Sequence, residues 1–166
     1  MRATRFLVVA VVLLVVGIGG LVLLGSGVVG PAPSGNTPAA RGQWIFQTGT
    51  DPTSRQPIPR SGGAGGMMGG GMMMATGCAA CHGPDGRGQA TPMFTAPNIT
   101  YANLIDSHGM LEPDGSRGPT YTDAQIQRAT TQGVDAEGQA LAWPMPHWQL
   151  SDQEMTDLLA YLKTLH

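Results

Sequence analysis

The residues of this chain best suited to chemistry are its two cysteines, Cys78 and Cys81, which lie three positions apart and are followed directly by His82. On one helical turn, two thiols at this spacing can each add across a vinyl group of a porphyrin, and the next residue can present its imidazole to the iron. This is the spacing used for covalent attachment of haem c. The sequence therefore predicts one haem c, bound through Cys78 and Cys81, with His82 as the proximal iron ligand.

Other chemistry at these residues is less well supported by the sequence. A redox dithiol is expected in a βαβ setting, whereas the surroundings here are rich in glycine and show no parallel-strand pattern. A structural zinc site needs four ligands, and the chain has no second cysteine pair. A disulfide between Cys78 and Cys81 would leave His82 without a role.

A family resemblance follows from these residues. The segment from Cys78 to Gly88 resembles the haem-binding segment of bacterial class I mono-haem cytochromes c of the membrane-anchored type, and the similarity resumes at Met145-Pro146 and in the last helix. The resemblance implies an all-α fold, in which a small helical domain surrounds one covalent haem. It also implies that the carbonyl of Pro97 accepts a hydrogen bond from the proximal histidine, with Pro92 as the competing candidate.

The second axial ligand of the iron is expected in the segment Trp143-Pro144-Met145-Pro146-His147-Trp148. Prolines on both sides of Met145 restrict the backbone, so that its thioether can be held near the iron. His147, two residues away, is the main rival, and a second histidine ligand would lower the reduction potential. His108 is a further histidine that could ligate. The other methionines are less suitable, since Met155 falls on the apolar stripe of a helix, Met93 and Met110 lie too early, and those of the glycine-rich insert precede the haem motif.

Three helices are predicted around this site. The family resemblance implies a first helix over residues 42–49, which would cross the last helix at Gly42 and place Phe46 against an aromatic such as Tyr161. The alternative is an amphipathic turn that lies on a membrane or partner through Trp44, Ile45 and Phe46. Capping boxes predict a helix over residues 123–132 and a terminal helix after residue 151, with Asp152, Asp157 and Lys163 on the polar face of the latter. The pattern suggests only helices and loops after the haem motif.

The N-terminal segment, residues 1–30, is predicted to be a transmembrane anchor. The chain has no charged residue from Phe6 to Gly30, which is about the length that crosses a bilayer as a helix. Arg2 and Arg5 before it favour a cytoplasmic N-terminus, which would leave the haem domain on the periplasmic side of the cell membrane. A cleaved signal peptide is the alternative.

Residues 31–76 are predicted to hold a tether, the first helix and a Gly/Met-rich insert, ahead of the haem domain at residues 77–166. The insert contains five methionines among glycines, which favours either copper(I) binding or adaptable packing. These methionines are Met67, Met68, Met72, Met73 and Met74.

The charge balance argues against nucleic acid as a partner. After the predicted anchor the chain carries 7 basic and 11 acidic residues, so it lacks the basic excess that nucleic acid requires. The sequence instead predicts a one-electron carrier or a fixed relay subunit of a respiratory chain, without catalytic activity of its own. By resemblance, its partners would be a terminal oxidase or a quinol-oxidising complex. The alternatives are a haem subunit of a catalytic oxidoreductase with a labile sixth ligand and a copper-handling protein.

Overall fold

The computed structural model describes residues 35–63 and 77–166, which fall within the unit Pro33–His166. Their elements, in chain order, are α1 (Pro38–Thr48), β1 (Arg60–Ser61), α2 (Ala79–His82), β2 (Gln89–Ala90), β3 (Thr95–Ala96), α3 (Tyr101–Leu104), α4 (Asp123–Gln132), β4 (His147–Trp148) and α5 (Asp152–Leu162). The predicted anchor and the methionine cluster lie outside the described residues. Among the helices that are described, none is long and apolar enough to cross a membrane.

Local signals at the helix ends account for the three longest helices. Thr37 caps α1 by accepting a hydrogen bond from the amide of Ala40, and Pro38 occupies the first turn, where no amide donor is needed. This helix therefore begins four residues before the predicted Gly42, inside the segment expected to be a tether. The capping boxes predicted for α4 and α5 are both confirmed.

The crossing of α1 and α5 forms the centre of the scaffold. A Cβ atom at Gly42 would overlap the carbonyl oxygen of Asp157, so only glycine allows the two backbones to come this close. One turn later, the rings of Phe46 and Tyr161 meet with centroids 5.3 Å apart. The predicted helix crossing is confirmed, and the surface alternative is wrong because Trp44, Ile45 and Phe46 are all buried.

Asp157 is not on the solvated face of the last helix, where the sequence had placed it. Asp157 is only 1% exposed, and each of its two carboxylate oxygens accepts a hydrogen bond of 2.7 Å from Arg41 on α1. This bidentate pair lies at the same helix crossing as Gly42. The pattern of α5 predicted a polar residue in solvent, whereas the partner helix supplies a cation that lets it be buried.

Two short antiparallel strand pairs were not predicted. Strand β1 pairs with β4, with Arg60 opposite Trp148 and Ser61 opposite His147, and β2 pairs with β3. The first pair joins the chain before the cysteine motif to the segment just after Met145. Two-residue strands have no detectable period of alternation, which explains why the sequence did not reveal them.

Candidate haem site

The cysteine motif forms a single helical turn. Helix α2 is four residues long, and the amide of His82 donates to the carbonyl of Cys78 over 2.9 Å. Cys78, Cys81 and His82 thereby come to line one cavity. Both cysteines are free, so the disulfide alternative is not what the structure contains.

The environment of the two thiols is unlike that of a redox dithiol. Burial raises the pKa of Cys78 to about 12. Burial also raises the pKa of Cys81, against a smaller opposing effect of the Arg60 charge. Reactive cysteines have a lowered pKa, because the thiolate is the nucleophile. These two thiols therefore stay protonated at neutral pH, unlike the low-pKa cysteine of a redox dithiol.

His82 is held in one orientation by Pro97. The histidine is buried, and its Nδ1 donates a hydrogen bond of 2.9 Å to the carbonyl oxygen of Pro97, the proline for which the resemblance implied this contact. Burial lowers the pKa of His82, and the bond to Pro97 opposes this shift to a smaller extent. The neutral ring with its proton on Nδ1 presents the lone pair of Nε2, which is the form that binds a metal.

Gly88 allows the proline segment to reach the histidine. A Cβ atom at this position would lie 2.6 Å from the carbonyl oxygen of Ala96 and 2.8 Å from the carbonyl carbon of Pro97. The amide of Gly88 also donates to the carbonyl of His82 over 2.8 Å. The tight approach of these two segments fixes the distance between His82 and Pro97.

Met145 lines the same cavity, although it is 63 positions after His82 in the chain. Its amide donates to the carbonyl of Ala142 over 3.0 Å, which closes a turn, and prolines flank it on both sides. Gly63 packs against this turn, since a Cβ atom there would lie 2.8 Å from the nitrogen of Pro146 and 2.9 Å from the oxygen of Pro144. The methionine is thus supported by a segment that precedes the cysteine motif.

The rival ligands are placed elsewhere. The ring of His147 lies against Gly133 at the end of α4, where it would overlap any added Cβ, and it is not among the residues that line the cavity. Met155 and Met110 are buried in the core outside the cavity, and Met93 is 72% exposed. Of the described methionines and histidines, only His82 and Met145 line the cavity.

The cavity fits a large apolar group with two covalent attachment points. Its volume is about 330 Å³, within the usual range for ligand sites, and its walls are mainly apolar. Phe46, Ile99, Trp148, Leu158 and Leu162 form much of these walls. The thiols, the imidazole and the thioether all face this space, and these are donors that suit haem iron and its vinyl groups.

Comparisons with known proteins agree with this geometry. The family model described as Cytochrome c matches residues 69–166, which is more than half of the chain. The chain belongs to the cytochrome c family. Its Cys78-Ala79-Ala80-Cys81-His82 segment fits the CXXCH motif, so this cytochrome c carries a covalently bound haem c on Cys78 and Cys81.

A curated relative supports the same assignment over a shorter stretch. The cytochrome is 36% identical over 67 residues to a cytochrome c-553-like protein of Synechocystis sp. (strain ATCC 27184 / PCC 6803 / Kazusa). The match covers 40% of this chain and 63% of the relative, so it spans less than two thirds of that protein. No solved structure gives a significant match. The family model and this relative agree on a c-type cytochrome.

Sequence reasoning missed some residues of the site. Arg60 and Trp148 line the cavity from the β1–β4 pair, and Phe94 and Thr130 line it from the middle of the chain. Arg60 lies between α1 and the cysteine motif, in a segment without a recognisable pattern. Trp148 lies three residues after Met145, which was the one available signal that it borders the iron site.

Proposed function

We propose that this cytochrome c is a one-electron carrier, or a fixed electron-relay subunit, whose haem iron is ligated by His82 and Met145. The observation that carries this proposal is the convergence of both side chains with the two cysteines on one cavity. The haem supplies the redox chemistry, in which the iron gains and releases one electron. The chain binds the haem, orients the proximal ligand His82 through Pro97, and holds Met145 in a turn against which Gly63 packs.

A filled sixth position favours electron transfer over catalysis. Peroxidase or oxygen chemistry needs an open or labile site on the iron. Here the Met145 turn is restricted by two prolines and contacted by Gly63, which favours a ligand that stays in place. The alternative of a catalytic haem subunit would require that this turn release the iron readily.

Access for electrons is proposed at the edge of the cavity near Ala80 and Ala142. Both residues line the cavity and are also exposed to solvent. Their small side chains would let a partner approach the haem closely. Trp143, beside Ala142, is 55% exposed and extends this apolar rim.

Optical spectra can test the ligation. With Met145 on the iron, the oxidised protein should show the weak far-red band of sulfur-to-ferric-iron ligation. We expect Met145→Ala to lose this band, to bind carbon monoxide rapidly when reduced and to have a lower potential. Met93→Ala is the matched control, because Met93 is exposed and outside the cavity.

Two results would overturn the ligation. A far-red band that survives in Met145→Ala would show that another sulfur binds the iron. Rapid and complete carbon monoxide binding by the wild-type protein would favour the catalytic alternative, since it requires an open sixth position.

The cellular setting is also proposed. The uncharged run from Phe6 to Gly30 supports a single-pass anchor in the cell membrane with the haem domain on the periplasmic side. The mildly acidic composition after the anchor supports docking to a basic patch of a terminal oxidase or a quinol-oxidising complex. Co-purification with such a complex in mild detergent would identify a fixed subunit, whereas recovery in the soluble fraction would contradict the anchor.

A further inference from the structure

Arg60 brings a positive charge to the haem cavity. It lies on β1 opposite Trp148 of β4, is half-buried, and places its guanidinium carbon 5.2 Å from the centroid of the Trp148 ring. Strand pairing and this cation–π contact both fix its position. Among the described residues that line the cavity, it is the one charged side chain.

Arg60 shares its cavity with the two residues that attach the haem. It lines the same space as the sulfurs of Cys78 and Cys81. In the mature protein these sulfurs are bonded to the porphyrin, so the charge of Arg60 acts on the haem.

We propose that Arg60 is a potential-setting residue of the haem site, whose fixed positive charge favours the reduced iron. In the reaction, one electron from the donor converts ferric to ferrous iron, and no bond is made or broken in the protein. The reduced haem carries one positive charge less than the oxidised haem. A nearby cation therefore stabilises the reduced form and raises the reduction potential.

This inference rests on the proposed one-electron function but not on Met145 as the sixth ligand. It gives a role to part of the segment between α1 and the cysteine motif, which the family resemblance leaves unexplained. Arg60 borders the cavity and Gly63 braces the Met145 turn, so residues 60–63 contribute to the site at two points.

The expected size of the effect follows from Coulomb's law. A unit charge on the order of 10 Å from a redox centre, at an effective dielectric constant between the protein-surface and water values, changes the equilibrium between oxidised and reduced protein roughly fivefold. For a one-electron couple this corresponds to about 40 mV.

A charge series at position 60 is the test. The variants are Arg60→Lys, Arg60→Gln and Arg60→Glu, and the potential of each haem-loaded protein is measured at low salt. We expect the lysine variant to stay close to wild type, the glutamine variant to shift about fivefold toward the oxidised form, and the glutamate variant to shift about twice as far on a logarithmic scale. A purely structural role would give shifts that follow side-chain shape rather than charge.

Arg55 offers a matched control for this series. Its guanidinium carbon also lies over a tryptophan ring, 4.0 Å from the centroid of Trp44, but Arg55 does not line the cavity. We expect Arg55→Gln to leave the potential within about a factor of two of wild type. Haem content and the far-red band, measured in every variant, show whether the site itself is intact.

Salt dependence adds a second readout. The Debye length falls from about 30 Å at 0.01 M salt to about 3 Å at 1 M, although partly buried charges are screened less than exposed ones. The difference in potential between the lysine and glutamine variants should therefore shrink as salt is raised without vanishing. If the glutamine variant loads no haem, the lysine and glutamate variants are compared instead. Equal potentials in the compared variants at low salt would overturn the inference. If the wild-type protein carried haem but showed no reversible one-electron couple, the proposed function would fail instead.

Discussion

The support that Gly63 gives to the Met145 turn can be tested with two neighbouring glycines. Gly62 and Gly63 both have a φ of 67°, so alanine costs the same backbone strain at either position. Their surroundings differ. A Cβ atom at Gly62 would meet no atom of the described residues within 4 Å, whereas one at Gly63 would lie 2.8 Å from the nitrogen of Pro146. Comparing Gly63→Ala with Gly62→Ala therefore isolates the contact with the Met145 turn.

The magnitude follows from the contacts. The atoms that the new methyl group would meet belong to the backbones of Pro144 and Pro146 and to no flexible side chain, so the turn must move by about half an ångström. Overpacking of this kind costs about 1–3 kcal/mol. If much of this strain is relieved when Met145 leaves the iron, an external ligand such as imidazole should bind roughly 5- to 30-fold more tightly to Gly63→Ala than to Gly62→Ala.

The assay is a titration of the oxidised protein with imidazole, followed through loss of the far-red band. The free energy of unfolding of both variants, measured in guanidinium, shows the shared cost of the left-handed backbone. Equal imidazole affinities in the two variants would refute the reasoning, because they would mean that the Gly63 contact does not reach the iron ligand.

Three further predictions concern the scaffold. Gly42→Ala should lower the free energy of unfolding by about 1–3 kcal/mol, because the alanine methyl group would overlap the Asp157 carbonyl. This loss is expected despite the higher helix propensity of alanine. Unfolding in guanidinium measures the loss, and a variant more stable than wild type would contradict the prediction. In the same assay, Asp157→Asn should lower the free energy of unfolding several-fold more than Asp85→Asn does. The carboxylate of Asp85 is 60% exposed, so its ion pair contributes about 0.5 kcal/mol or less. Equal losses of stability in the two variants would show that the buried pair is unimportant. The pKa of Asp123 is lowered, chiefly by a hydrogen bond from Lys163. A lowered folded-state pKa gives stability that is present above the unfolded pKa of about 3.9 and is lost as pH falls through the folded pKa. The contribution of Asp123 to the free energy of unfolding should therefore be constant from about pH 7 to 5 and absent in Asp123→Asn.

The local parts of the site could be predicted from the sequence. The cysteine motif needs only one helical turn, and its spacing is enough to suggest a covalent haem. The capping boxes of α4 and α5 are signals within four residues of each helix start, and the structure confirms both. The Gly42 crossing is a long-range contact, and it was expected only because the family resemblance supplied it.

The contacts that could not be predicted from the sequence are long-range ones between polar residues or very short strands. Asp157 has the spacing of a solvated residue on α5, and nothing near it in the sequence shows that Arg41 will cover it from 116 positions away. The pairing of Arg60 with Trp148 involves strands of two residues, which carry no periodic signal. Arg60 was therefore overlooked although it borders the haem cavity.

The structure separates the parts of the chain that hold the fold from those that set the chemistry. Helices α1 and α5 are fixed by Gly42 and by the pair of Arg41 and Asp157, none of which lines the cavity. The residues expected to govern the iron, by contrast, lie on a single helical turn, in loops and on a two-residue strand. Changes at the helix crossing should therefore act first on stability, whereas changes in residues 60–63 or in the Met145 turn should act first on ligation and potential. Because the second group consists of short segments between these helices, substitutions there should change the redox properties while leaving the helix crossing in place.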